Sequence, residues 1–114
     1  MGTDRIYTET VMSANAIASG DTEYSSEIDL GAHYAAGNVS VDITVAGSGN
    51  IDVNYQVEAN GTWVIPESAT EIITAMGAGT TRVEGLGIGV TDKLRFKVEA
   101  HSDSVTVTIR AIYQ

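Results

Sequence analysis

Four stretches of this chain alternate apolar and polar residues with a strict period of two. Val39, Val41, Ile43 and Val45 are interleaved with Ser40, Asp42 and Thr44, and Ile51, Val53, Tyr55 and Val57 with Asp52, Asn54, Gln56 and Glu58. Leu94, Phe96 and Val98 alternate with Lys93, Arg95, Lys97 and Glu99; Val105, Val107, Ile109 and Ala111 alternate with Ser104, Thr106, Thr108 and Arg110. Successive side chains of a strand point to opposite faces, so each stretch forms a ribbon with one apolar and one polar side. Such ribbons hide their apolar sides only by packing sheet on sheet or by closing into a barrel. A weaker stretch, Glu23 to Leu30, places Tyr24, Ser26, Ile28 and Leu30 inward by the same rule. The opening Arg5–Val11 is extended but has no clean face.

The residue types agree with the period. Val, Ile and Thr dominate these stretches, and their branched side chains suit a pleated surface. Glycines punctuate the chain at short intervals, and only one proline, Pro66, occurs. Gly47-Ser48-Gly49-Asn50 and His101-Ser102-Asp103 join neighbouring stretches with turn-forming residues, which predicts hairpins over 38–58 and 92–113. Asn60-Gly61 predicts a further tight return before Thr62-Trp63-Val64-Ile65. Pro66 to Met76 carries weak helical spacing against two isoleucines and two threonines, so at most one short helical turn is expected near 67–76. The expectation is an all-β fold: a two-sheet antiparallel β-sandwich of about eight short strands, jelly-roll or immunoglobulin-like in order. With 114 residues it is read as a single domain over 1–114, residues 1–12 forming an extended arm or edge strand.

Charge and composition narrow the chemistry. Fifteen acids against six bases give a net charge of −9, which disfavours phosphate backbones and hence nucleic acid as a partner. No apolar run is long enough for a membrane-spanning helix, and the opening MGTDRIYTET lacks the basic and apolar parts of a secretory signal. Cysteine is absent, which removes disulfides and thiol chemistry. The two histidines, His33 and His101, fall in predicted connections without a nucleophile or carboxylate arranged beside them. No metal, cofactor or catalytic residue is expected. Calcium binding by loop carboxylates is conceivable, but Asp42, Asp52, Glu58, Glu23, Glu27 and Asp29 lie mainly on strand faces as solvated charge.

Candidate contact residues come from charge and glycine. Lys93, Arg95, Lys97 and Arg110 all take the outward parity of the predicted last hairpin, with Arg110 across from Lys93 or Arg95. Like charges facing each other in a sheet destabilise it, so such a basic plate on an acidic protein points either to docking on an acidic neighbour or to a solvated face with salt bridges to Glu99 or Glu84. In Gly85-Leu86-Gly87-Ile88-Gly89, Leu86, Ile88 and Val90 would share one side, leaving Gly85, Gly87 and Gly89 as a bare face for close approach, or the stretch is a twisted or bulged edge strand. Arg5 and Tyr7 join the set through the N-terminal arm, which can add to a neighbour's sheet. Tyr55 and Trp63 are assigned to the core; an exposed Trp63 would instead favour a carbohydrate- or receptor-binding module.

The runs YSSEIDL, VSVDITVAGSGNIDVNYQVEANGTW and KLRFKVEAHSDSVTVTIRAIY resemble the small β-sandwich virion proteins of tailed bacteriophages, including capsid decoration (cement) proteins and head–tail accessory modules. The resemblance covers residues 23–113 as a pattern, and no functional residue is carried over from it. It implies a non-enzymatic structural protein on the capsid or tail surface, made in the host cytoplasm. The implied partners are a major capsid protein or other virion subunits, and further copies of itself, with a trimer favoured. Immunoglobulin-like adhesion modules and carbohydrate-binding domains share similar patterns.

Overall fold

The computed structural model describes residues 6–30, 39–65, 72–86 and 93–113. Arg5, His33, Gly87 and Gly89 fall outside them, as do residues 66–71 of the weak helical stretch. Ten strands follow in order: β1 (Tyr7–Ile17), β2 (Thr22–Tyr24), β3 (Ile28–Asp29), β4 (Val39–Gly47), β5 (Asn50–Ala59), β6 (Thr62–Val64), β7 (Ile73–Met76), β8 (Gly79–Val83), β9 (Lys93–His101) and β10 (Val105–Tyr113). Ile73–Met76 is thus extended, not helical.

All pairings are antiparallel. The first sheet runs β1-β10-β4-β8 and the second β2-β9-β5-β6. β3 continues the β2 edge along β9, and β7 continues the β6 edge along β5. Merging these interrupted edges leaves eight strand positions, ordered 1-8-3-6 in one sheet and 2-7-4-5 in the other. That is the double Greek key of a jelly roll.

The four alternating stretches form the four central strands, and their apolar faces meet between the sheets. Val41, Ile43, Ile51, Val53, Leu94, Phe96, Val98, Val107 and Ile109 are fully buried. Tyr55 joins them, as expected from its parity.

Strand pairing differs from expectation. Residues 38–58 and 92–113 do not form hairpins: β4 and β10 lie in the first sheet, β5 and β9 in the second. The short links therefore arch over the end of the sandwich. A hairpin and an arch keep the same residues facing the core, so alternation cannot separate them. What allows the arch is local. Gly47 has φ +110° and Ser102 φ +73°. Gly49 lies so close to the other arch that a Cβ there would stand 2.9 Å from the His101 carbonyl and inside the radius of the Asp103 carbonyl oxygen.

Two more local features reverse expected faces. Tyr24 points outward at 45% exposure, while Ser25 is buried. Ser25 Oγ accepts the Phe96 N–H at 2.8 Å and donates to the Ser26 carbonyl at 2.9 Å, and Ser26 N–H donates to the Val11 carbonyl at 2.8 Å. The chain leaves β9 here to stitch the two sheets, and this one-residue irregularity flips everything before it. Trp63 is half-exposed, not core. The turn at Asn60 (φ +55°) and Gly61 (φ +80°) pairs Ala59 with Thr62, so Trp63 falls opposite outward-facing Glu58 and Val64 opposite inward-facing Val57. In β1, two register shifts and Ala14 at φ +45° bury Val11 and Met12 together, which accounts for its lack of a clean face.

Candidate functional site

The outward face of the second sheet carries most of the charged side chains nominated from the sequence. Register places Lys93 opposite Glu58, Arg95 opposite Gln56, Lys97 opposite Asn54, Glu99 opposite Asp52 and His101 opposite Asn50. Lys93 Nζ also lies 3.6 Å from Glu27, and Lys97 Nζ 3.2 Å from Glu99. Asp52 and Glu99 would repel as a facing pair, but each has another partner on β9: Lys97 Nζ reaches Glu99, and His101 Nε2 lies 2.8 Å from Asp52 Oδ2. Asp52 Oδ1 further accepts the Ala75 N–H at 2.8 Å, tying β7 to β5. The alternation made Asp52 an outward residue, but His101, expected in a connection without a carboxylate beside it, instead ends β9 and meets Asp52 across the strands.

Arg95 stands apart. Its guanidinium carbon is 4.5 Å from the Tyr24 ring centre and 4.3 Å from that of Trp63. Its Nε donates to Gln56 Oε1 at 2.8 Å. Tyr24, Arg95, Gln56 and Trp63 come from β2, β9, β5 and β6, so this line crosses every strand position of the sheet. Among the described residues Arg95 has no carboxylate partner, and neither Nη group makes a hydrogen bond. Guanidinium–aromatic contact contributes about 0.5–1 kcal/mol per ring at exposed sites.

Arg110 does not join this group. It lies on the first sheet, in a cross-strand row Thr10–Arg110–Asp42–Arg82. Arg82 grips Asp42 through two bonds, Nε to Oδ1 at 2.6 Å and Nη2 to Oδ2 at 2.8 Å. That fork holds the Asp42 carboxyl below its ordinary range, helped by the positive charge of Arg82 and Arg110. The single basic plate expected from the sequence is thus two separate faces, because the link from β9 to β10 changes sheets. On the larger face, Lys93 and Lys97 are balanced by nearby carboxylates.

Of the other nominated residues, the described ones, Tyr7 and Gly85, lie near one end of the first sheet. Tyr7 stacks on Tyr113 with ring centres 5.5 Å apart. Tyr113 is buried, and its hydroxyl donates to Glu9 Oε1 at 3.0 Å. Burial first, and then the bond to Glu9, pushes the Tyr113 phenol up to about 12. Gly85 follows β8 in a left-handed conformation, φ +66°, and Leu86 is buried with its N–H donating to the Val39 carbonyl at 2.9 Å. Gly85 is therefore a bend beyond β8, and Gly87 and Gly89 of the expected glycine face lie outside the described residues. Among the described residues no three His, Asp or Glu side chains converge as metal ligands.

No protein-family model and no curated protein matches the sequence. Solved structures do resemble it. A chain of infectious bursal disease virus, Gt strain, superposes with TM-score 0.62 and 16% identity over 96% of this chain and 31% of that one. The Gx strain gives TM-score 0.62 and 11% identity over 96% and 32%. VP2 in the crystal structure of a subviral particle of the same virus gives 0.62 and 13% over 96% and 32%. The chain spans about a third of the length of these neighbours. At such identities the likeness is one of fold, and the fold is a β-sandwich that viral capsid proteins use.

Proposed function

We propose that this chain is a non-enzymatic structural subunit of a virus particle, decorating or cementing the capsid or tail lattice of a tailed bacteriophage. The observation that carries the reading is topological: nearly the whole jelly roll superposes on chains of virus particles. Its partners on this reading are a major capsid protein or neighbouring virion subunits, together with further copies of itself, most simply as a trimer. Two contact modes are available. The β8 edge, Gly79-Thr80-Thr81-Arg82-Val83, is almost wholly exposed and among the described residues is paired only on its β4 side, so it can accept a strand from a neighbour. The charged outer faces, with Lys93, Arg95 and Lys97 on one sheet and Arg110 on the other, can register against two different neighbours at once. Weak contacts of this kind gain strength by repetition over a lattice.

The test is quantitative mass spectrometry of gradient-purified particles from cells expressing this chain with its virus. A fixed stoichiometric ratio to the major shell subunit is the expected result. Particles lacking the chain while the free protein accumulates would overturn the reading. Attachment across a salt series then tests the electrostatic part: if neutralising Lys93, Arg95, Lys97 and Arg110 leaves it unchanged, that part is wrong.

A further inference from the structure

The Tyr24–Arg95–Trp63 line does something a lattice contact does not require. On the outer face of the second sheet, every other cation of β9 has a carboxylate or acidic neighbour, whereas Arg95 is held by two aromatic rings and an amide. A guanidinium fixed in this way loses little conformational freedom on binding and keeps unused donors in a planar fork that matches a carboxylate. The rings beside it are open to solvent: Tyr24 is 45% exposed and Trp63 half-exposed. Gln56 and Asn54 lie alongside on β5, and Lys97 flanks them on β9.

We propose that this line is a binding site for a carboxylate-bearing saccharide, such as a sialic or uronic acid. The carboxylate pairs with the Nη edge of Arg95, the sugar's C–H surface lies against Tyr24 and Trp63, and the β5 amides meet its hydroxyls. An acidic peptide fits less well. β9 and β5 are interior strands with both edges occupied, so the face offers no main-chain groups to pair with an extended backbone. A sugar needs only planar polar groups and rings. The inference stands on this face alone and goes beyond the structural role proposed above.

Trp63 is the chain's only tryptophan, so its fluorescence reports this site alone. The full chain is titrated with 3′-sialyllactose, lactose and a hexaglutamate peptide, following Trp63 emission and saturation-transfer NMR. Sialyllactose is expected to give a saturable emission change, with lactose at least about tenfold weaker because the charge-assisted pair is absent. Arg95→Gln and Arg95→Lys should each weaken sialyllactose binding about tenfold, the lysine because it keeps charge but loses the fork. Arg82→Gln, on the opposite sheet, should leave binding unchanged. Gln56→Ala provides a second route should Arg95→Gln unfold, and it should weaken binding by loosening the guanidinium. The proposal is overturned if no saturable response to sialyllactose occurs, if lactose or hexaglutamate binds as tightly, or if folded Arg95 variants bind like the parent.

Discussion

A methyl group added at Gly49 tests the arched ends of the sandwich directly. An ideal Cβ there would overlap the Asp103 carbonyl oxygen and stand 2.7 Å from the Asp103 carbonyl carbon and 2.9 Å from the His101 carbonyl oxygen. All three atoms are backbone, so no flexible side chain can swing aside. The arches 47–50 and 101–104 would have to separate by roughly 1 Å to reach ordinary contact, and overpacking of this kind costs about 1–3 kcal/mol. The same separation strains the Asn50–Ser102 bond (3.3 Å) and the Asp52–His101 pair, which span the arches. Gly49→Ala should therefore lie near the upper end, about 2–3 kcal/mol, or roughly 8–15 °C in Tm for a chain this size. Gly77→Ala is the control, since nothing lies within 4 Å and its φ is not positive. It should be neutral or stabilise by up to about 1 kcal/mol through the unfolded state. Urea titrations followed by far-UV circular dichroism measure both. A Gly49→Ala protein within about 0.5 kcal/mol of Gly77→Ala would refute the close approach of the two arches.

Three further outcomes follow from named contacts. Ser25→Ala removes the side-chain acceptor bonded to the buried Phe96 N–H, and should destabilise by about 1–3 kcal/mol in the same urea assay. The lowered pKa of Asp42 means its contribution is fully present above the ordinary value of 3.8 and is lost as pH falls through the lower folded value. Asp42→Asn should accordingly flatten the acid limb of a stability–pH profile while leaving the neutral region nearly parallel to the parent. Tyr113 is shifted the other way, from 10.0 to about 12, so its contribution is present below pH 10 and is lost as pH rises between those values. Tyr113→Phe should reduce the alkaline loss of stability and remove a phenol titrating at about 12 from a 295 nm absorbance titration.

The burial of the four central strands is legible from sequence because period-two alternation is itself a statement about faces. Val41, Phe96 and Ile109 could be assigned to the core residue by residue. Which strands touch is another matter. Val45 and Ile51 point inward whether residues 46–50 make a hairpin or an arch, so the pattern is blind to the choice that separates Arg110 from Lys93, Arg95 and Lys97. Ser25 shows a second limit. A single serine turned inward to meet a backbone N–H reverses Tyr24 without altering the composition of its stretch. Trp63 shows a third, since apolar character argued for burial while the Asn60-Gly61 turn fixed its register outward. The aromatic clamp on Arg95 depends on all three, and could not be assembled from local spacing.

The first sheet also dictates an order of events at the ribosome. β10 sits between β1 and β4, pairing Tyr113 with Tyr7 on one side and with Val39 on the other, yet it is synthesised after both. β1 has no other strand partner among those described, so a nascent chain must keep an unpaired ribbon waiting while some ninety residues are translated. Completion of this half therefore waits for β10, and the interval before it is when the chain is most exposed to capture by chaperones or by its own siblings.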